Sequence, residues 1–181
     1  MNEKEINALG VAGYIPERYA WMLILDIATQ LADMYAEGRA HGAICPGNIQ
    51  WDGKRFILVG DGTDGDHRFE APNPSVCSED DVWSLGASVF FLCLECCPFR
   101  NGGRTQERES PIPFMRREYK ELSETVAACL SFERERRPTL SELVSIAQKQ
   151  AGKVKGVGER PKKAPAMVTA GQDDFWPEEM R

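Results

Sequence analysis

The sequence predicts a mainly α-helical domain that carries one small β-hairpin. Three observations predict it. Apolar residues recur at helical spacing from Trp21 to Tyr35. The segment that ends near Leu94 is apolar nearly all round, as a central helix should be. The clearest strand signal is the short run Phe56-Ile57-Leu58-Val59, beside an Asp52-Gly53 turn.

The elements follow in order. Residues 1–13 are polar and Gly-containing and read as a loose lead-in. Pro16 suits the first turn of a helix whose buried stripe is Trp21, Ile24, Ile27 with Ala28, Leu31, then Met34 with Tyr35. Gly38 is placed to stop it. Residues 41–54 read as a loop, and Trp51 is placed to pair back onto the 56–59 strand. Gly60 to Asp66 holds three glycines and three aspartates and reads as a turn. Ser78 with Asp81 three residues later has the form of a helix N-terminal box, and Pro98 is expected to end that helix. A polar loop over 100–113 leads to a helix near 121–130 with the stripe Leu122, Val126, Cys129 and Leu130. Thr139 and Glu142 form a second capping box for a last helix, Leu140 to Gln150. The expected organisation is therefore a lead-in (1–13), a folded lobe (14–150) and a flexible tail (151–181) rich in Lys, Gly, Pro and Ala.

Composition narrows the function. Apolar residues at 42% are enough for a core, and a net charge of −6 argues against general attraction to nucleic acid or anionic membrane. No apolar run approaches the ~20 residues that span a bilayer. The acidic start lacks the apolar stretch of a secretory signal, so a cytoplasmic protein is expected. Cys93, Cys96 and Cys97 lie in an apolar helical run with no second Cys pair, and the only histidines are His41 and His67. Cysteines acting as small buried hydrophobes are a better reading than a zinc site.

Several motifs then point one way. His41-Gly42-Ala43-Ile44-Cys45-Pro46-Gly47-Asn48 resembles the catalytic loop of protein kinases, usually His-Arg-Asp-Leu-Lys-Pro-x-Asn. Phe56 to Asp61 is similar to the strand that leads to the metal-binding Asp-Phe-Gly, and Phe69-Glu70-Ala71-Pro72 to the close of the activation segment. Asp81-Val82-Trp83-Ser84-Leu85-Gly86 matches the start of the kinase central helix. Cys96-Cys97-Pro98-Phe99 stands where that helix ends, and Cys129-Leu130 with Arg137-Pro138-Thr139 matches the final helical pair. The resemblance covers roughly residues 14–150. It implies a protein kinase-like C-terminal helical lobe with no N-terminal lobe. Only 40 residues precede His41, and neither a Gly-rich phosphate loop nor a Val-Ala-Ile-Lys strand is among them.

The departures from the family bear on chemistry. The family's proton-accepting aspartate falls on Ala43, its phosphate-side lysine on Cys45 and its loop arginine on Gly42. Loss of all three implies a pseudokinase without transfer chemistry and without a cofactor of its own. Asn48 and Asp61 stand at the two magnesium-ligand positions, a vestigial metal pair. The alternative is that Asn48 ties the loop and Asp61 sits in a turn. Weak or absent binding of ATP and magnesium is expected. Asn73 replaces the glutamate that would pair with Arg137, so another carboxylate must serve or the fold must differ there. Asp81 is implied to hold the loop by accepting its backbone N–H groups.

A catalytically inactive module that binds a protein partner, as a regulatory scaffold, is the expected function. The alternatives are half of a split kinase and a nucleotide–magnesium sensor, each completed by another chain. The candidate partner-binding residues are Phe175, Trp176 and Pro177, flanked by Asp173, Asp174, Glu178 and Glu179. Adjacent aromatics are out of place in a polar tail, and aromatics anchor most binding hot spots. Such a motif docks either on another protein or back on its own lobe.

Overall fold

The structure, a computed structural model, describes residues 6–7, 15–52, 54–115 and 119–153. Helix α1 (Glu17–Ala36) starts after Pro16, whose extended backbone forms the N-cap. The predicted stripe is its buried face: Trp21, Ile24, Ile27, Ala28 and Leu31. Its end is set by Gly38 at φ +76°, whose N–H donates to Tyr35 O at 2.9 Å while Arg39 N–H reaches Met34 O at 3.0 Å. Only glycine takes that left-handed turn without strain, so the helix stops where the sequence places it.

Three short strands, β1 (Ile6–Asn7), β2 (Ile49–Trp51) and β3 (Phe56–Leu58), make an antiparallel sheet in the order β1-β2-β3. Strand β2 (Ile49–Trp51) pairs with β3 (Phe56–Leu58) in the register Ile49↔Leu58 and Trp51↔Phe56. The Asp52 carboxylate closes the hairpin by accepting Lys54 N–H at 2.7 Å and Arg55 N–H at 2.8 Å. Strand β1 (Ile6–Asn7) pairs with the other edge of β2, so the expected loose lead-in contributes a strand. The outer edge of β3 is satisfied by helix side chains. Asp26 accepts Phe56 N–H at 2.9 Å, and Gln30 accepts Leu58 N–H at 3.0 Å while donating to Phe56 O at 2.9 Å. Two polar residues spaced one turn apart on α1 thus stand in for a fourth strand.

Helix α2 (Ser78–Leu94) runs through the centre, with Val82, Trp83, Leu85, Val89, Phe90 and Cys93 buried. The expected Ser78–Asp81 box does not form. Cys77 is the N-cap and no side chain caps it, because the Asp81 carboxylate points away to another loop. Nor is Pro98 the terminator: Glu95 adopts φ +59° and ends the helix three residues earlier. An extended segment, β4 (Arg100–Gly103), follows within the expected polar loop. Helix α3 (Lys120–Cys129) and helix α4 (Leu140–Ala151) complete the lobe. At the start of α4 the predicted capping box is present: Thr139 Oγ1 accepts Glu142 N–H, and Glu142 Oε2 accepts Thr139 N–H at 2.8 Å. Helices α1, α2, α3 and α4 share one core, in which Trp21, Trp83, Leu122, Leu130 and Leu143 are fully buried. Cys93 and Cys97 lie in that core as hydrophobes. Among the described residues no helix is long and apolar enough to cross a membrane.

Candidate functional site

The loop from His41 to Asn48 lies across the start of α2. Asp81, itself 2% exposed, accepts His41 N–H at 2.7 Å and Gly42 N–H at 2.8 Å. Two amides on one carboxylate fix the loop, and the His41 N–H is buried, where an unpaired donor costs about 1–3 kcal/mol. Burial raises the Asp81 pKa, and the hydrogen bonds from Gly42 and His41 only partly oppose it. His41 Nδ1 accepts Ala43 N–H at 3.3 Å, while its buried Nε2 has no partner among the described residues.

Ala43 is buried and carries no polar atom on its side chain. The following turn lies directly against it: a Cβ added to Gly65 would sit 3.2 Å from the Ala43 Cβ. A Cβ added to Gly62, which has φ +83°, would sit 2.2 Å from His41 O. No larger side chain fits at position 62 in this arrangement, which excludes the Phe that follows the family's metal-binding Asp. The turn therefore closes down on the place from which a catalytic carboxylate would project.

Asn48 holds that closure. Its Nδ2 donates to Ala43 O at 2.8 Å and to Asp64 O at 2.7 Å, joining the loop to the turn. Asp61 is exposed; its Oδ1 accepts Thr63 N–H at 3.1 Å and Thr63 Oγ1–H at 2.5 Å. The Thr63 hydroxyl, followed by the Thr63 N–H, holds the Asp61 carboxyl below its ordinary range. Asn48 Oδ1 and one Asp61 oxygen are left, two donors at most, whereas a hard divalent cation takes six or more oxygens. Among the described residues no group of three His, Cys, Asp or Glu side chains could hold a metal. The pair does not by itself make a metal centre.

The question left by Asn73 has a definite answer. Arg137 Nη1 pairs with Asp80 Oδ1 at 2.8 Å, and its other donors reach Ser131 O, Phe132 O and Glu79 O. Arg134 shares the same carboxylate, with Nε 2.9 Å from Oδ1 and Nη2 2.9 Å from Oδ2. Asn73 keeps a part through its backbone: at φ +48°, its C=O accepts Arg134 Nη2–H at 2.6 Å. Burial alone would raise the Asp80 pKa, but hydrogen bonds from Arg134, Ser75 N–H and Arg137 hold it below the ordinary value.

The segment after the turn is covered as well. His67–Phe69 forms a 3-10 turn that buries Phe69 edge-on against Phe91, centroids 5.6 Å apart. Strand β4 lies beside it, with Gly103 N–H donating to Glu70 O at 2.7 Å and Arg104 pairing with Glu70 at 2.7 Å. Gln106 is a buried bridge that the sequence reading missed. It accepts Trp83 Nε1–H at 3.0 Å and donates to Leu130 O at 2.7 Å. Nothing in a polar loop marks one glutamine as buried. Asp80 carried a signal that could have been used, because it is the carboxylate next to Asp81, close to where Arg137 had to find a partner. Phe175, Trp176 and Pro177 lie outside the described residues.

No protein-family model and no curated protein sequence matches the chain. Solved structures do. A mutant kinase domain of Mycobacterium tuberculosis PknI superposes with a TM-score of 0.66 at 18% identity, over 82% of this chain and 62% of that one. A double mutant of the same domain gives 0.67 at 18% identity, over 82% and 64%. The chain thus spans under two thirds of those kinase domains. Taken with the loop, the central helix and the closing helical pair, the superposition shows that this chain has a mainly helical, protein kinase-like fold.

Proposed function

We propose that this chain is a catalytically inactive kinase-like module that works by binding a protein partner. One observation carries the reading. The position of the family's proton-accepting carboxylate is Ala43, a buried methyl with the Gly65 backbone packed over it. Phosphoryl transfer is mostly positioning and charge stabilisation around a substrate hydroxyl. Here there is neither a group to accept its proton nor space above that group. Gly42 and Cys45 remove two further charges from the same loop. What the loop keeps is its attachment to Asp81, which supports a role as a shaped surface. The aromatic tail, Phe175-Trp176-Pro177, is proposed as its partner-binding motif, and the cytoplasm as its compartment.

Incubation with labelled ATP, magnesium or manganese, and generic acceptor proteins tests this. The expected result is no transfer above a boiled control; reproducible transfer that is lost in Asp61→Ala overturns it. The retention of Asn48 and Asp61 supports one second reading, a split kinase or nucleotide–magnesium sensor completed by another chain. Thermal melting with millimolar ATP and magnesium separates the two. The inactive module barely moves, whereas a rise of several degrees supports the second reading.

A further inference from the structure

A cavity of about 720 Å³ opens between the last turns of α1 and the first turns of α2 and α4. Its apolar wall is made by Ala32, Tyr35, Ala36, Val82, Pro138 and Leu140. One large side chain of this wall is left open to solvent: Tyr35 is 53% exposed. We infer that Phe175-Trp176-Pro177 of this chain's own tail docks in this cavity, so that the lobe holds its partner-binding motif until a partner competes for it. The inference rests on the tail being a docking motif; it does not depend on the loss of transfer chemistry.

Size and reach select this occupant. Ligand sites of roughly 300–1,000 Å³ are the usual range, and a Phe and a Trp each bury about 150–250 Å². The cavity lies at the first turn of α4, and the 12-residue helix carries the chain about 18 Å away from it. From Lys153 to Phe175 there are 22 residues of Gly/Pro/Ala-rich sequence. A random-coil chain of that composition and length has a root-mean-square span of about 26 Å, which exceeds the return distance of about 18 Å. Such a tether presents the motif at an effective concentration on the order of millimolar, far above any second copy at micromolar concentration. Charge does not choose the occupant, because Arg134 and Arg137 in the wall are offset by Glu79 and Glu135.

The test uses tryptophan. Trp21 and Trp83 are 0% exposed and Trp51 is 8% exposed, so acrylamide reaches Trp176 selectively once the tail is free. In the full chain at low micromolar concentration, quenching should be weak and unchanged in Trp176→Phe. Ala36→Arg, a change at the exposed last residue of α1, fills the cavity mouth without touching the core. It should raise quenching several-fold while leaving the melting temperature of a chain lacking residues 171–181 unaltered. Free quenching of Trp176 in the unaltered chain overturns the inference. Protection that survives Ala36→Arg moves the tail to another surface and overturns it too. Protection that vanishes on dilution means docking on a second copy, and rejects the arrangement within one chain.

Discussion

The two ends of the kinase-like loop system are held in different ways. At the start of α2, Asp80 and Asp81 accept from backbone and side-chain donors of His41, Gly42, Ser75, Arg134 and Arg137, the last a fully buried side chain. Packed against this helix start, the 41–48 loop and the 60–66 turn stand where the resemblance expects a catalytic loop and the turn of a metal-binding aspartate. The first region is maintained by desolvation: a carboxylate removed from it strands buried cations and amides. At Ala43 and Asp61 there is no such penalty, because the Ala43 side chain needs no partner and Asp61 is exposed. Structural anchoring and chemistry are therefore separable within one loop.

The largest expected effect tests the hub on which the first region stands. Trp83→Ala removes a fully buried indole and leaves Gln106 without its donor, and should cost about 3–5 kcal/mol in denaturant unfolding. A loss below about 1 kcal/mol would mean that α2 is not the centre of the lobe. Asp80→Ala comes next. It breaks a buried pair and strands Arg137, with an expected cost of about 3–5 kcal/mol.

Acid titration sharpens the same point. The folded pKa of Asp80 lies below its unfolded value of about 3.9. Its contribution is therefore fully present above that unfolded value and is lost as pH falls through the folded one. Melting temperature measured from pH 5 downward should fall in the unaltered chain, and fall less steeply in Asp80→Asn. Equal slopes would remove Asp80 from the account.

On the other side of the comparison the effects shrink. Asn48→Ala loses two hydrogen bonds from one amide and should cost about 1–2 kcal/mol, with faster amide exchange over 61–66. A cost as large as that of Asp80→Ala would erase the contrast between the regions. Asp61→Ala is the smallest change. The side chain is exposed and bonds only Thr63, so melting should not move measurably. A clear drop would show that the turn is braced in a way its hydrogen bonds do not account for.

Much of this was legible in residues. The 3.6-residue spacing of Trp21, Ile24, Ile27, Ala28 and Leu31 is a local property, and so are the Gly38 stop, the Asp52 hairpin and the Thr139–Glu142 box. Each depends on neighbours within one or two turns, and each is present where expected. Other features were misread or missed. The Ser78–Asp81 spacing fits a cap, yet Asp81 serves amides 39 and 40 residues earlier. A local pattern yields when a buried donor elsewhere has greater need of the carboxylate. Pro98 looked like the terminator, but the backbone had already turned at Glu95 to start the return path.

The sequence by itself determined the helical class and the hairpin, and it put an alanine, Ala43, where the resemblance expects the family's proton-accepting aspartate. Periodicity and residue identity are readable without knowing what lies across the core. The tertiary structure decided that Asp80 replaces the missing partner of Arg137. It also decided that Gln106 joins Trp83 to Leu130, that Asp26 and Gln30 seal the edge of β3, and that Gly65 closes over Ala43. Each of these joins residues 20 or more positions apart. The physical reason is desolvation: once the core excludes water, a buried donor left without an acceptor is costly, and which acceptor it finds depends on where the chain brings it.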